Sequence, residues 1–144
     1  LTMEGKERPV PVPTSVTRRY WDSVNEEALR IPKCRKCGAL HFYPHALCPN
    51  CMSPDLDYVP VSGNGTIYSY TIIRSPQPAF RGMEPYAVVN VELDEGVRIM
   101  ANVRTDDVEQ VRIGKRVANA SALCWQDDRS RPIATARMHL LLDR

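Results

Sequence analysis

Apolar and polar residues change rhythm once along this chain. In the first third, Val16, Tyr20, Trp21, Val24 and Ala28 fall near i, i+4, i+5, i+8 and i+12, one face of a helix with 3.6 residues per turn. Thr14 or Ser15 is placed to cap this helix, and it is expected to end before Pro32. Ahead of it, Pro9, Pro11 and Pro13 make the opening an extended arm. From Gly65 onward the period becomes two. Residues 66–73 and 86–93 are rich in β-branched and aromatic side chains, and the second run passes through the turn Asp94-Glu95-Gly96 into 97–103, a hairpin. Two more strands are expected at 116–125 and 133–141, separated by a polar turn at 126–132. Five short strands, with an irregular segment at 105–115 between the third and fourth, fit a closed barrel of the oligonucleotide/oligosaccharide-binding (OB) type better than a sandwich.

The chain therefore divides into an arm and helix (1–32), a cysteine-bearing segment (33–60) and an OB-fold barrel (61–144), mainly β throughout. Between the first two strands, residues 74–85 carry Pro76, Pro78 and Pro85 around Phe80-Arg81-Gly82. This loop is too long for a hairpin turn, and long ordered loops often carry function. Phe80 is a candidate partner anchor, the alternative being a ring folded back on the barrel. The helix face with Tyr20 and Trp21 either packs on its own domain or docks a partner.

Four cysteines change the picture most. Cys34/Cys37 and Cys48/Cys51 form two C-x2-C pairs ten residues apart, and each pair lets two thiolates of one tight turn reach a common tetrahedral ion. Zinc is the expected cofactor, and iron in a rubredoxin-like tetrathiolate site is the competing metal. Two disulfides are the other alternative, but a chain of 144 residues with 43% hydrophobic composition has enough core not to need them. A closed four-sulfur shell leaves no open position for water or substrate, so the ion folds the segment and does not catalyse. His41 and His45 lie between the pairs as substitute ligands or as ordinary packing residues, with 39–43 expected to form a short hairpin.

A net charge of +2 and 25% charged residues demand no polyanionic partner. The sequence has no apolar run of membrane-spanning length and no signal-peptide pattern, which places it in the cytoplasm as an expectation. There the fifth cysteine, Cys124, is a small apolar-context residue in Ala122-Leu123-Cys124-Trp125.

The ordered set of motifs resembles one family. The helix with Tyr20-Trp21, the two cysteine pairs, Gly63-Asn64-Gly65-Thr66-Ile67-Tyr68-Ser69-Tyr70, Pro85-Tyr86-Ala87-Val88-Val89 and Ile113-Gly114-Lys115-Arg116-Val117 are similar to the acyl-CoA-associated ribbon-and-barrel proteins filed as domain of unknown function thirty-five. One departure is the last strand, where Met138-His139-Leu140 stands in place of an aromatic. The resemblance implies a non-catalytic accessory subunit of a thiolase-like, aldolase or hydratase enzyme acting on coenzyme A thioesters, in a hetero-oligomer. It also directs attention to Lys33, Arg35, Lys36, Arg74 and Arg81 as cations for coenzyme A phosphates. Consistently, the sequence shows no Ser/His/Asp set and no phosphate-cradling glycine loop. Two other classes stand beside this reading. A single-stranded nucleic-acid module would use Tyr68 and Tyr70 as a stacking platform, and a free-standing thioesterase or acyltransferase would use Cys124.

Overall fold

A computed structural model describes residues 11–26, 28–105, 107–119, 125–126, 132–133 and 137–140. Among these residues one short α-helix precedes nine strands. Helix α1 spans Arg18–Asn25, β1 Arg30–Cys34, β2 Leu56–Pro60, β3 Gly65–Ile73, β4 Tyr86–Leu93, β5 Arg98–Arg104, β6 Arg116–Asn119, β7 Trp125–Gln126, β8 Pro132–Ile133 and β9 Arg137–Leu140.

The helix is shorter than its apolar spacing suggests. Thr14 and Thr17 hold each other, each amide donating to the other's hydroxyl at 2.9 and 3.3 Å, so helical residues begin at Arg18, after the expected cap. It ends at Asn25, before Pro32 as expected. Pro32 lies inside β1, opposite Tyr58, in a two-stranded antiparallel sheet that places Arg30 against Pro60 and Cys34 against Leu56. A proline is tolerated there because a two-stranded ribbon has only edge strands. The hairpin expected at 39–43 does not form; a single bridge joins Lys33 to Leu40.

Strands β3, β4, β5, β9 and β6 close into a barrel in that order. β5 and β9 run parallel while the other neighbours are antiparallel, and β3 returns to β6 through Gly65–Val117 and Thr66–Arg116. The alternation of the sequence becomes the inside and outside of this barrel: Ile67, Ala87, Val89, Val91, Leu93, Ile99 and Ala101 point inward, each at most 2% exposed. Gly65 allows β3 and β4 to meet closely, since a Cβ there would lie 2.4 Å from the Glu92 carbonyl oxygen and 2.7 Å from Val91 Cγ1. A bidentate Arg116–Asp94 pair at 2.6 and 2.8 Å joins the start of β6 to the turn after β4. The predicted loop at 74–85 includes a 3-10 turn, Pro78–Phe80, and an ion pair from Arg74 to Glu109 ties it to the segment before β6. Tyr20, Val24, Leu29 and Ile31 belong to one apolar cluster with the barrel interior, so helix and ribbon share the barrel's core.

Candidate metal centre

The two cysteine pairs are built as near copies of each other. In the first, the Gly38 amide donates to the Cys34 carbonyl at 2.8 Å and the Cys34 amide to the Ala39 carbonyl at 2.9 Å. In the second, the Met52 amide donates to the Cys48 carbonyl at 2.8 Å and the Cys48 amide to the Ser53 carbonyl at 2.9 Å. The register matches residue for residue. Gly38 and Met52 occupy the same left-handed position, with φ of 75° and 61°.

These turns bring four sulfurs together, all within 4.8 Å of one another. Cys34 Sγ lies 3.6 Å from Cys51 Sγ, and Cys37 Sγ lies 3.6 Å from Cys48 Sγ. A tetrahedron with metal–sulfur bonds of about 2.3 Å has sulfur–sulfur edges of about 3.8 Å, and disulfides at about 2.05 Å are excluded. The four cysteines are thus placed to hold a metal ion, and Cys34 and Cys48 are buried while Cys37 faces solvent.

The electrostatics agree with that reading. Asn50 Nδ2 donates to Cys37 Sγ at 3.6 Å and, with the Ala39 amide, brings its thiol down to about 6. Cys51 is pushed up to about 12: the Ser53 amide favours its thiolate, but burial and the three neighbouring sulfurs outweigh it. Four thiolates in one small volume repel one another unless a cation sits among them.

Neither histidine joins the sulfurs; among the described residues the only group of metal-holding side chains is the four cysteines. His41 and His45 stack with ring centroids 5.8 Å apart. His41 is buried with both ring nitrogens unpartnered, and burial followed by the His45 charge holds its pKa below the ordinary value.

The remaining candidates are scattered. Tyr20 is 4% exposed and packs edge-on against Trp21 and Phe42 at 5.0 and 5.4 Å, so its ring is taken up by the chain's own core. Trp21 and Phe80 are half-buried. Lys33, Lys36 and Arg81 are exposed, whereas Arg35 already pairs with Asp57 at 3.1 Å and Asp55 at 3.7 Å, and Arg74 with Glu109. Tyr68 is 50% exposed with the Arg98 guanidinium 3.6 Å over its ring, and Tyr70 is exposed beside it. Cys124 lies outside the described residues.

Two features escape sequence reasoning. The first is a clamp in which Asp57 takes Arg19 of α1 at 3.4 Å and Arg35 of the first knuckle, while Arg19 lies 4.6 Å over the Tyr58 ring. The second is the left-handed Met52, whose only signal is that Cys37 is followed by glycine and Cys51 is not.

Comparison with known proteins covers both halves. Residues 21–57 match the family profile of the ChsH2 rubredoxin-like zinc ribbon domain, and residues 58–121 that of the ChsH2 C-terminal OB-fold domain. A DUF35 domain-containing scaffold protein of Methanothermobacter thermautotrophicus is 36% identical over 70% of this chain and 77% of its own length. A probable enoyl-CoA hydratase alpha subunit of Thermomonospora curvata is 34% identical over 76% of the chain, which spans only 34% of that subunit. The benzoylsuccinyl-CoA thiolase subunit BbsA of Thauera aromatica is 30% identical over 57% of the chain and 60% of its own length. Among solved structures, a chain of the Ltp2-ChsH2(DUF35) aldolase superposes with a TM-score of 0.74 at 30% identity, covering 90% of this chain and 98% of that one. No helix among the described residues is long and apolar enough to cross a membrane.

Proposed function

This chain belongs to the DUF35 family of zinc-ribbon and OB-fold proteins, and from that premise we propose that it is a zinc-binding, non-catalytic subunit of a thiolase-like, aldolase or hydratase enzyme acting on acyl-CoA thioesters. The observation that carries the reading is the near-complete superposition on the DUF35 chain of an aldolase complex. The chemistry of the cysteine site supports it. Four cysteine thiolates suit zinc, whose role in such a shell is to fold the ribbon by crosslinking β1 to the second knuckle. The four sulfurs fill a tetrahedron, so substrate has no place on the ion and the reacting groups belong to the partner.

In this role the chain supplies rigidity and a wall for the partner's substrate channel. Lys33 and Lys36, exposed on and beside β1, are the cations best left available for coenzyme A phosphates, with Arg81 on the barrel loop. Arg35 and Arg74 contribute less, because carboxylates already hold them. A cytoplasmic setting suits both reduced cysteines and coenzyme A chemistry.

Affinity capture of the tagged chain from its native host, with mass spectrometry and zinc quantitation, tests the proposal. A thiolase, aldolase or hydratase of acyl-CoA thioesters in near-equal amount, with one zinc per chain, is the expected result. Recovery of no such enzyme overturns it. A second reading draws on exposed Tyr68 and Tyr70 with Arg98: a single-strand-binding face. It requires affinity for single strands that falls steeply with salt, and no binding at moderate salt removes it.

A further inference from the structure

Helix α1 cannot hold itself. It has eight residues, no side-chain capping bond from Thr17, no acidic residue in its first turn and no basic residue in its last, and isolated helices shorter than about 12 residues are marginal in water. Its order comes from what it rests on. Arg19 reaches Asp57 at 3.4 Å and lies 4.6 Å over the Tyr58 ring, the Tyr58 hydroxyl donates to the Val16 carbonyl at 3.3 Å just ahead of the helix, and Tyr20 meets Phe42 edge-on at 5.4 Å. Asp57, Tyr58 and Phe42 all belong to the ribbon.

The ribbon in turn hangs on its sulfurs. Phe42 lies between the two cysteine pairs, in a stretch with no strand of its own. Asp57 is gripped from both sides, Arg19 of α1 on Oδ1 and Arg35, the neighbour of Cys34, on Oδ2 at 3.1 Å. The strands that carry Cys34 and Asp57 are a pair of five residues each, and a two-stranded sheet alone is marginal in water. An ion shared by the four cysteines closes the loop between these strands and fixes Arg35 and Phe42 in place.

We propose that metal occupancy and helix docking are coupled: an ion in the four-cysteine site latches α1 onto the ribbon through Phe42 and the Arg35–Asp57–Arg19 clamp, and loss of the ion releases the helix while the barrel stays folded. Tyr20 and Val24 oppose release, since they belong to the cluster that reaches the barrel interior. On loss of the ion Tyr20 loses its Phe42 contact, and its burial weakens with it. The coupling is reciprocal, so a change that loosens α1 weakens metal binding by the same factor. The inference rests on the cysteines' holding a metal ion and is independent of any enzyme partner.

Two measurements on the full chain test it. In the first, zinc-loaded and chelator-treated protein are digested briefly with trypsin and the fragments identified by mass spectrometry. Arg18 and Arg19 are exposed on the docked helix, and chelation is expected to speed cleavage after them about tenfold while cleavage after Arg98 in β5 is unchanged, because proteolysis follows the population of the open form. In the second, zinc dissociation constants of the parent, Arg19→Gln and Arg18→Gln are compared by competition with a chromophoric chelator. Arg19→Gln, a surface change that touches no cysteine, is expected to raise the constant about threefold through loss of one exposed ion pair and one cation–π contact. Arg18→Gln, one residue away and outside the clamp, is expected to leave it unchanged. Helix cleavage that chelation does not speed overturns the proposal, as does cleavage that speeds equally in β5, which would make the ion a support of the whole chain. Equal zinc constants in all three proteins overturn it as well. A chain that takes up no zinc overturns it together with the zinc-binding part of the function proposed above, whose enzyme partner is tested separately by capture.

Discussion

The ribbon and the barrel solve the same problem with different means. The barrel closes five strands around side chains that are almost all apolar and at most a few per cent exposed, with backbone bonds running round the ring. The ribbon has one pair of five-residue strands, and between them Arg35 to Asp55 turn around four sulfurs with scarcely any regular structure. Burial of apolar area sustains the first, and crosslinking by an ion replaces such burial in the second. The difference teaches where each region is vulnerable. The barrel fails when its packing is disturbed, and the ribbon fails when its sulfurs lose their ion.

The sharpest way to break the comparison is to take the ion away. Cys48→Ser, or a strong chelator on the parent, is expected to unfold residues 34–55, since structural zinc contributes about 10 kcal/mol or more in small sites. Hydrogen exchange then shows protection lost in the ribbon and retained in β3, β4 and β5; unchanged protection throughout would refute the difference in mechanism. Ile31→Ala tests whether the regions are separable at all. Ile31 is fully buried in the cluster shared with the barrel, so truncation is expected to cost about 4 kcal/mol and to lower both regions together in chemical denaturation. Two separate transitions would show that the shared core matters less than its geometry suggests.

Gly65→Ala probes the barrel alone. The added Cβ collides with the Glu92 backbone and Val91, and the expected loss is about 3 kcal/mol with one metal ion still bound per chain. The smallest effect belongs to the exposed Arg116–Asp94 pair. Hydrogen bonding from Arg116, then its charge, holds the Asp94 carboxyl below its ordinary pKa. A depressed carboxyl stabilises the fold above its unfolded value of about 3.9 and loses that contribution as pH falls through the lower folded value. Asp94→Asn is therefore expected to melt slightly below the parent at pH 7, with the gap closing below about pH 4.

Much of this was legible in the sequence because period-two alternation and C-x2-C spacing are local signals. The barrel strands at 66–73, 86–93 and 97–103 fall within a residue of β3, β4 and β5, and the four cysteines converge as their spacing demands. Helix and ribbon were harder. The apolar spacing ran through Ala28 with an end expected before Pro32, yet the helix stops at Asn25, Leu29 and Ile31 alternate as a strand does, and Pro32 lies inside β1. β1 finds its partner twenty-six residues on, at β2, a pairing that no local pattern announces. The Asp57 clamp depends on the same distant pairing, because it joins α1, the first knuckle and β2.

Placing β9 between β5 and β6 has a consequence for the order of events on the ribosome. The ribbon's sulfurs and both its strands are translated before any barrel strand, so the ion can be captured by a chain that is still growing. The barrel has to wait. β3, β4 and β5 can zip as a meander as they emerge, but β5 has no neighbour on its far side until 137–140 arrive, and β6 stands next to a gap until then. The nascent protein thus carries a finished cysteine knuckle ahead of an open sheet, and a stalled or truncated product would expose two unpaired edges beside a complete four-cysteine site.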